Sequence, residues 1–353
     1  MLNNIAVSVV MPVYNTDNKL LIRAIESVIT QSLREFEFII VDDGSTNGIN
    51  EICNQYADMD ERIVTIHTNN EGLCAARNTA LGIAKGEYIA FLDHDDEFKP
   101  DLLMDNYSLA KRYNADVVKF GYEVISFDSE PKFPFSRVPT DVDVIVTTNI
   151  YERYSFFKRC GILTCVWDGI YERNFLMKNN IYFDTYFKIG QEDISFNNKV
   201  CSHKPILLFN NKKYYNHYRY TKSTSRGMDK FRSKMLIHHE LYVFTQEFNL
   251  VKKVATGGVH DLLIDIAINN VLAILASIFR CDCRLSTYEK KIVLNKIREL
   301  EIWDEIKPRL KMKDFNHNLC IWLLYYRMYD ILLFIVTVYV VILRIKYKVS
   351  SLW

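Results

Sequence analysis

The sequence predicts an α/β fold, a mostly parallel sheet with helices on both faces, followed by a helical C-terminal region. Three observations predict it. Over residues 1–121, short β-branched runs alternate with segments of helical periodicity. The connections between them are short, which for strand–helix alternation means parallel strands joined by crossovers. Beyond Met228 the strand pattern gives way to helical periodicity that continues to the end of the chain.

Taken in order, Ile5–Val13 is an apolar strand candidate, and Asn18–Thr30 a helix with Leu21, Ala24, Ile25 and Val28 on one face. Phe36–Val41 reads as a second strand and Ile49–Ala57 as a second helix. Ile63–His67 and Leu73–Ala84 form a third strand–helix pair, the helix ending ahead of Gly86. Tyr88–Leu92 is a fourth strand, Leu102–Tyr113 a helix and Asp116–Phe120 a fifth strand. Residues 123–150, with Pro131, Pro134 and Pro139, read as an irregular insertion, and 150–225 as mixed structure. The expected division is a domain over 1–225, with halves of 1–121 and 122–225, and a helical region over 226–353.

The 353 residues leave room for one large domain with an appendage, or for two modest ones. Lys and Arg number 44 against 43 Asp and Glu, so no overall field favours nucleic acid or an acidic partner. The eight cysteines include no C-x-x-C pair and are expected to be reduced thiols. Ile5–Val13 has no basic segment before it and is interrupted by Ser8 and Pro12, which suits a buried strand rather than a leader peptide.

Sheets of this kind bind ligands beyond the carboxyl ends of their strands, and polar clusters sit at those ends. They are Tyr14-Asn15, Asp42-Asp43-Gly44-Ser45 and Asp93-His94-Asp95-Asp96. Asp93 and Asp95 come where the chain leaves a strand, so one carboxylate can reach a ribose and the other a divalent cation. The same residues also read as a solvated acidic loop, or as helix N-terminal charge ahead of Leu102. Asp42-Asp43-Gly44-Ser45-Thr46 reads either as a turn with a helix N-cap or as a nucleoside site, where a carboxylate accepts an imide N–H. Tyr14 offers a ring to stack on a base.

Four motifs stand in order: Pro12-Val13-Tyr14-Asn15, Val41-Asp42-Asp43-Gly44-Ser45-Thr46, Asn70-Glu71-Gly72 with Ala76-Arg77-Asn78, and Gly86-Glu87-Tyr88-Ile89-Ala90-Phe91-Leu92-Asp93-His94-Asp95-Asp96. Together they resemble glycosyltransferase family 2, densely over residues 5–121 and more thinly to about 225. The resemblance implies a GT-A fold, an inverting transfer and a nucleotide-sugar donor, most often UDP-linked. Carried over by motif, it implies that Pro12, Tyr14 and Asn15 line the donor pocket, with Tyr14 stacked on the base. It also implies that Asp42 and Asp43 contact the nucleoside, that Arg77 supports the pocket, and that Asp93 and Asp95 form the D-x-D pair for donor and metal.

The resemblance continues with departures. Trp167-Asp168-Gly169-Ile170-Tyr171 is similar to the family's W-x-K-L-Y segment and would bring Trp167 and Asp168 to the acceptor. Gly169 stands where Lys is common, so the role of that Lys is expected to be absent. Gly190-Gln191-Glu192-Asp193-Ile194-Ser195-Phe196 is similar to G-E-D-x-x-F with one extra residue, which implies Asp193 as the base and Glu192 as its rival. Helix N-terminal charge is the plainer reading of that pair. Tyr218-Arg219 with Ser223-Thr224-Ser225 resembles a loop that closes over the diphosphate, so Arg219 and Ser223 are expected donor contacts. Residues 211–234 hold eight Lys and Arg against Asp229 alone, which suits a diphosphate, an anionic lipid carrier or a solvated face. His217 reads either as a third metal ligand or as a structural histidine.

Segment 319–349 is expected to associate with a membrane. A span needs about 20 predominantly apolar residues, and Ile331–Leu343 falls short of that. Extension back to Leu319 crosses Arg327 and Asp330, which are expected to pair on one helix face. Arg344, Lys346 and Lys348 follow the run. The preferred reading is an amphipathic or partly inserted helix, with a true span and a core or dimer helix as alternatives.

The expected function is an inverting, Mn²⁺- or Mg²⁺-dependent transfer of a hexosyl or N-acetylhexosaminyl group to an acceptor hydroxyl. The expected acceptor is a saccharide on a polyprenyl carrier, for capsule, exopolysaccharide or lipopolysaccharide, at the cytoplasmic face of a bacterial inner or plasma membrane. A non-catalytic sugar-nucleotide-binding module is a rival, but it has no need of Asp93, Asp95 and Asp193 together. A nucleotidyltransferase is another, but it would carry a basic Gly-rich loop where this chain has Pro12-Val13-Tyr14-Asn15.

Overall fold

The structure, a computed structural model, describes residues 5–126, 144–147, 164–219, 230–254, 268, 270–275, 277–278, 285–301, 303 and 315–347. Two units are distinguished: Met1–Lys188 with Glu192–Ser223, and Ile189–Gln191 with Thr224–Trp353.

In the first unit, β1 (Val7–Val13) and β2 (Phe36–Asp42) are buried at every position, as near-continuous apolar runs demand of strands covered on both faces. They pair in parallel from Val7 opposite Phe36 to Val13 opposite Asp42. β3 (Ile63–His67) adds to β2 and β4 (Tyr88–Phe91) to β1, both in parallel. The crossovers are α1 (Asn18–Ile29), α2 (Ile49–Met59) and α3 (Leu73–Ile83). α1 starts where the Asp17 carboxylate accepts from the Lys19 N–H, and it buries the expected face of Leu21, Ala24, Ile25 and Val28.

The chain continues through β5 (Glu97–Phe98), α4 (Leu102–Tyr113), β6 (Val117–Ser126), β7 (Val144–Thr147), β8 (Gly169–Glu172), α5 (Arg173–Lys178), α6 (Glu192–Ser202) and β9 (Leu207–Arg219). Two expectations change here. β6 does not extend the parallel run beside β4, because β8 lies between them and runs antiparallel to both. β9 then pairs in parallel with β6 and antiparallel with β5 and β7. The stretch read as irregular over 123–150 also contains strand: β6 runs on to Ser126, and Val144–Thr147 pairs with β9. Residues 127–143 and 148–150 lie outside the described residues.

The second unit carries α7 (Lys230–Val254), α8 (Thr287–Arg298), α9 (Phe315–Tyr325) and α10 (Tyr329–Tyr347). A capping box of Ser286 and Glu289 starts α8. Residues 319–343 do not form one helix. Arg327 takes a left-handed conformation at φ 57°. The Met328 N–H reaches the Leu323 carbonyl at 2.8 Å and the Arg327 N–H the Leu324 carbonyl at 3.1 Å. This is a Schellman-type stop with arginine in the place glycine usually takes. Asp330 pairs with Lys291 of α8 at 2.7 Å rather than with Arg327. Among the described residues no helix is long and apolar enough to cross a membrane.

Candidate active site

Three strand ends, α3 and three later segments build the site. After β1, Pro12 is buried and Tyr14 is 47% exposed. Asn15 is left-handed, at φ 46°. Its N–H donates to Ser45 Oγ at 3.0 Å, and its Oδ1 accepts from the Thr46 N–H at 2.8 Å, so it stitches the β1 loop to the β2 loop.

After β2, Asp42 accepts from the Ser45 N–H at 3.0 Å and pairs with His67 Nδ1 at 2.9 Å. Asp43 accepts from the Glu71 and Gly72 N–H groups at 2.9 and 2.8 Å, which fixes the entry to α3. Gly44 allows this approach: its φ is +73°, and a Cβ there would lie 2.8 Å from Asn70 N. Both carboxylates, expected to meet a nucleoside, are buried and engaged within the protein.

α3 then places Arg77, which is 1% exposed. Its guanidinium donates to Asp193 Oδ1 at 2.7 Å and to Asp93 Oδ1 at 3.0 Å, and lies 5.0 Å from the Phe183 ring centre. The other Asp193 oxygen accepts from the Val166 N–H at 3.1 Å. Beside it, burial and then the negative charge of Asp193 push Glu192 up to about 7. Phe91, Tyr171, Phe183 and Phe196 pack below, the Phe183 and Phe196 rings 4.3 Å apart.

In the loop after β4, Asp96 is fully buried. It accepts from the Tyr215 hydroxyl at 2.8 Å, the Tyr218 N–H at 2.7 Å and His217 Nδ1 at 3.0 Å. Burial opposes a charged His217, but the bond to Asp96 outweighs it, and the imidazole is raised. Arg23 of α1 donates to the Asp95 carbonyl at 2.5 Å and lies 3.7 Å over the Tyr218 ring. Burial raises Asp93, Asp95 and Asp96 alike.

Trp167 is 6% exposed, stacked on Tyr215 at 4.4 Å and on His217 at 5.3 Å. Asp168 is buried in an ion pair with Lys119 at 2.6 Å. The two residues expected at the acceptor are thus enclosed in a ring stack and an ion pair. The segment itself holds no lysine, and Gly169 lies opposite Lys119 of β6, whose ammonium pairs with Asp168. Arg219 ends β9 and is exposed, while Ser223 lies outside the described residues.

Residues 8–181 match the family model for glycosyl transferase family 2. Over these residues the chain belongs to glycosyltransferase family 2. It is 32% identical over 217 residues to glycosyltransferase GlyA of Streptococcus pneumoniae, covering 59% of this chain and 30% of that protein. It is 30% identical over 213 residues to poly(ribitol-phosphate) beta-glucosyltransferase of Bacillus spizizenii, covering 59% and 32%. The chain spans about a third of the length of these two relatives. Residues 1–349 of S. aureus TarS in complex with UDP superpose with a TM-score of 0.63 at 20% identity, covering 83% of this chain and 80% of that one. The fold is GT-A, with helices added at the C-terminal end.

Among the described residues, no group of three or more His, Cys, Asp and Glu side chains is arranged to hold a metal ion. His217 turns its Nδ1 to Asp96, and Asp93 gives one oxygen to Arg77. The donor set fits a cation shared with a ligand, because Mg²⁺ commonly takes one or two carboxylates and completes its shell with phosphate oxygens and water. Burial and mutual repulsion already raise Asp93, Asp95 and Glu192, so added positive charge is favoured there. Sequence reasoning missed Asp96, Arg23 and Lys119 as organisers of the site. Asp96 stood in the acidic cluster after the fourth strand without a role of its own, and Lys119 is a charge inside the apolar run Val117-Val118-Lys119-Phe120.

Proposed function

We propose that this family 2 domain transfers a sugar, with inversion, from a UDP-linked donor to a hydroxyl of a surface polysaccharide or its precursor. One observation carries the reading: Arg77 holds Asp93, at the end of the donor strands, and Asp193, at the start of α6, on one guanidinium. The likeness to a TarS structure solved with UDP supports the donor class. The relative named for β-glucosyl transfer to poly(ribitol-phosphate) supports a hexosyl or N-acetylhexosaminyl group and a polymeric acceptor.

In this reading residues 1–225 form the catalytic domain. The exposed Tyr14 ring stacks on the base, with Pro12 and Asn15 framing it and Asp42 and Asp43 shaping the loops around it. Arg219 and Ser223 meet the diphosphate. Asp93 and Asp95 would hold Mn²⁺ or Mg²⁺, and a divalent cation there supplies positive charge to the leaving diphosphate. Asp193 takes the proton of the acceptor hydroxyl as that oxygen attacks the anomeric carbon. A carboxylate has about four lone-pair sites, so the bonds to Arg77 and Val166 leave Asp193 able to accept another. Trp167 and Asp168 shape the acceptor side from beneath. The acceptor itself is a saccharide on a polyprenyl lipid, met at the cytoplasmic face of the membrane.

Glu192 supports a second assignment, because a carboxyl near 7 is matched to accepting a proton at neutral pH. The test is release of UDP from UDP-glucose, UDP-galactose and UDP-N-acetylglucosamine with Mn²⁺ present. Asp193→Asn should bind donor yet turn over roughly two to four orders of magnitude more slowly. Loss in Glu192→Gln with activity in Asp193→Asn reverses the two acids. Release from none of the three donors overturns the UDP-sugar reading.

A further inference from the structure

We propose that Lys119 positions the carboxylate of Asp193 through a single peptide group, an inference that rests on Asp193 being the base. Lys119 lies inside an apolar strand and is 1% exposed. A buried ammonium is costly unless its charge is paired and its N–H groups are bonded. Here three acceptors meet its three donors: Asp168 Oδ1 at 2.6 Å, the Cys165 carbonyl at 2.7 Å and the Tyr171 hydroxyl at 2.8 Å. The strand beside it makes room. Gly169 stands opposite Lys119 in the β6–β8 pairing, and a Cβ there would lie 2.8 Å from Lys119 Cδ.

The Cys165 carbonyl is held twice. Asn197 Nδ2 also donates to it at 2.8 Å, and Asn197 Oδ1 accepts from the Tyr171 hydroxyl at 3.0 Å. Lys119, Tyr171, Asn197 and this carbonyl therefore close a ring of hydrogen bonds. The other side of the same peptide is the Val166 N–H, which donates to Asp193 Oδ2 at 3.1 Å. A peptide is planar, and in the trans form its C=O and N–H point in opposite directions. Fixing the carbonyl fixes the line along which the N–H meets the carboxylate. Two donors on the carbonyl also polarise the peptide and strengthen its N–H. Asn197 lies one helical turn beyond Asp193 in α6, so the helix offers both side chains to this one peptide. Charge pairing with Asp168 needs only one of the three bonds; another ties the ammonium to the peptide that meets the base.

The test uses the full chain with Lys119→Met, and with Lys119→Met/Asp168→Asn, which leaves no unpaired buried carboxylate to unfold the protein. Turnover is UDP release from whichever of UDP-glucose, UDP-galactose and UDP-N-acetylglucosamine the unaltered chain uses, with Asp193→Asn measured alongside. In both Lys119 variants kcat should fall roughly tenfold to a hundredfold, while the donor KM holds. The acid limb of kcat should move to higher pH, since a carboxylate that loses an N–H donor keeps its proton longer. Asn197→Ala should have the same effect and add little to Lys119→Met. A folded double variant with unaltered kcat and acid limb overturns the inference. So does a fall in kcat with an unmoved acid limb and a matching loss of thermal stability, which marks a structural lysine. If Asp193→Asn keeps full turnover, the base assignment fails and this inference falls with it. If Asp193→Asn is dead and the Lys119 variants are normal, only the positioning role is lost.

Discussion

Arg77 is where two distant stretches of sequence meet, since its two amino groups take Asp93 and Asp193. A planar guanidinium can hold two carboxylates at fixed angles, and a lysine ammonium cannot reproduce that fork. Asp95 differs from both acids. Its carbonyl is fixed by Arg23, and burial raises its carboxyl, so removing that charge should not destabilise the loop. Asp95→Ala should therefore abolish UDP release while shifting stability by about 0.5 kcal/mol or less. Thermal melting and turnover with Mn²⁺ or in EDTA check this, and full turnover in the variant or in EDTA removes the metal-assisted step. Tyr14, Asp93, Asp95 and the Glu192-Asp193 pair were visible as short motifs, because each lies within a few residues of a strand end or helix start. What Asp42, Asp43 and Trp167 touch was not visible. Their partners are His67, the Glu71 and Gly72 amides, and Tyr215 and His217, all fixed by tertiary packing.

At the scale of elements, β1 to β4 and the helices between them were legible because each strand pairs through a crossover helix with a clear periodicity. β8 was not, since four residues carry no measurable alternation and their partners β4 and β6 are remote in sequence. The stop between α9 and α10 was hidden for a different reason: the left-handed residue is Arg327, and no glycine or proline marks it. α7 carries a buried acid with a consequence that can be measured. Glu247 is 6% exposed and accepts from Asn270 Nδ2 at 2.6 Å, and burial, opposed by that bond, pushes it up from 4.5 to about 7. A carboxyl raised on folding contributes stability that is fully present below its unfolded pKa and is lost as pH rises through the folded one. The chain should therefore lose up to roughly 3 kcal/mol between pH 4.5 and about 7 from this group. Glu247→Gln keeps an acceptor for Asn270 and should melt higher than the unaltered chain at pH 8 but not at pH 4. Equal melting temperatures at pH 8 would show that Glu247 is ionised without cost.

At the scale of the whole molecule, the two units divide the chemistry from a surface of another kind. Every described candidate site residue belongs to the first unit, and α9 and α10 belong to the second. α10 buries Leu332 and Leu333 but exposes Ile331, Phe334 and Val338, spaced three and four residues apart on one helical face. Phe334 is 70% exposed, and Trp322 of α9 and Tyr326, just past its end, are exposed as well. Basic residues Arg344, Lys346 and Lys348 follow the apolar run in the sequence. An apolar face with indole and phenol rings, followed by cations, suits the headgroup layer of an anionic bilayer. Each basic residue adds about 1 kcal/mol there, and a fully buried Phe or Ile about 1.5–3 kcal/mol. The full chain should therefore sediment with phosphatidylglycerol vesicles and much less with phosphatidylcholine vesicles. Ile331→Glu/Phe334→Glu should release it from the vesicles while UDP release in solution stays unchanged, because neither residue takes part in the site. If the unaltered chain ignores anionic vesicles and instead sediments as a dimer that the same two substitutions dissociate, this face is a protein interface and the membrane reading is lost.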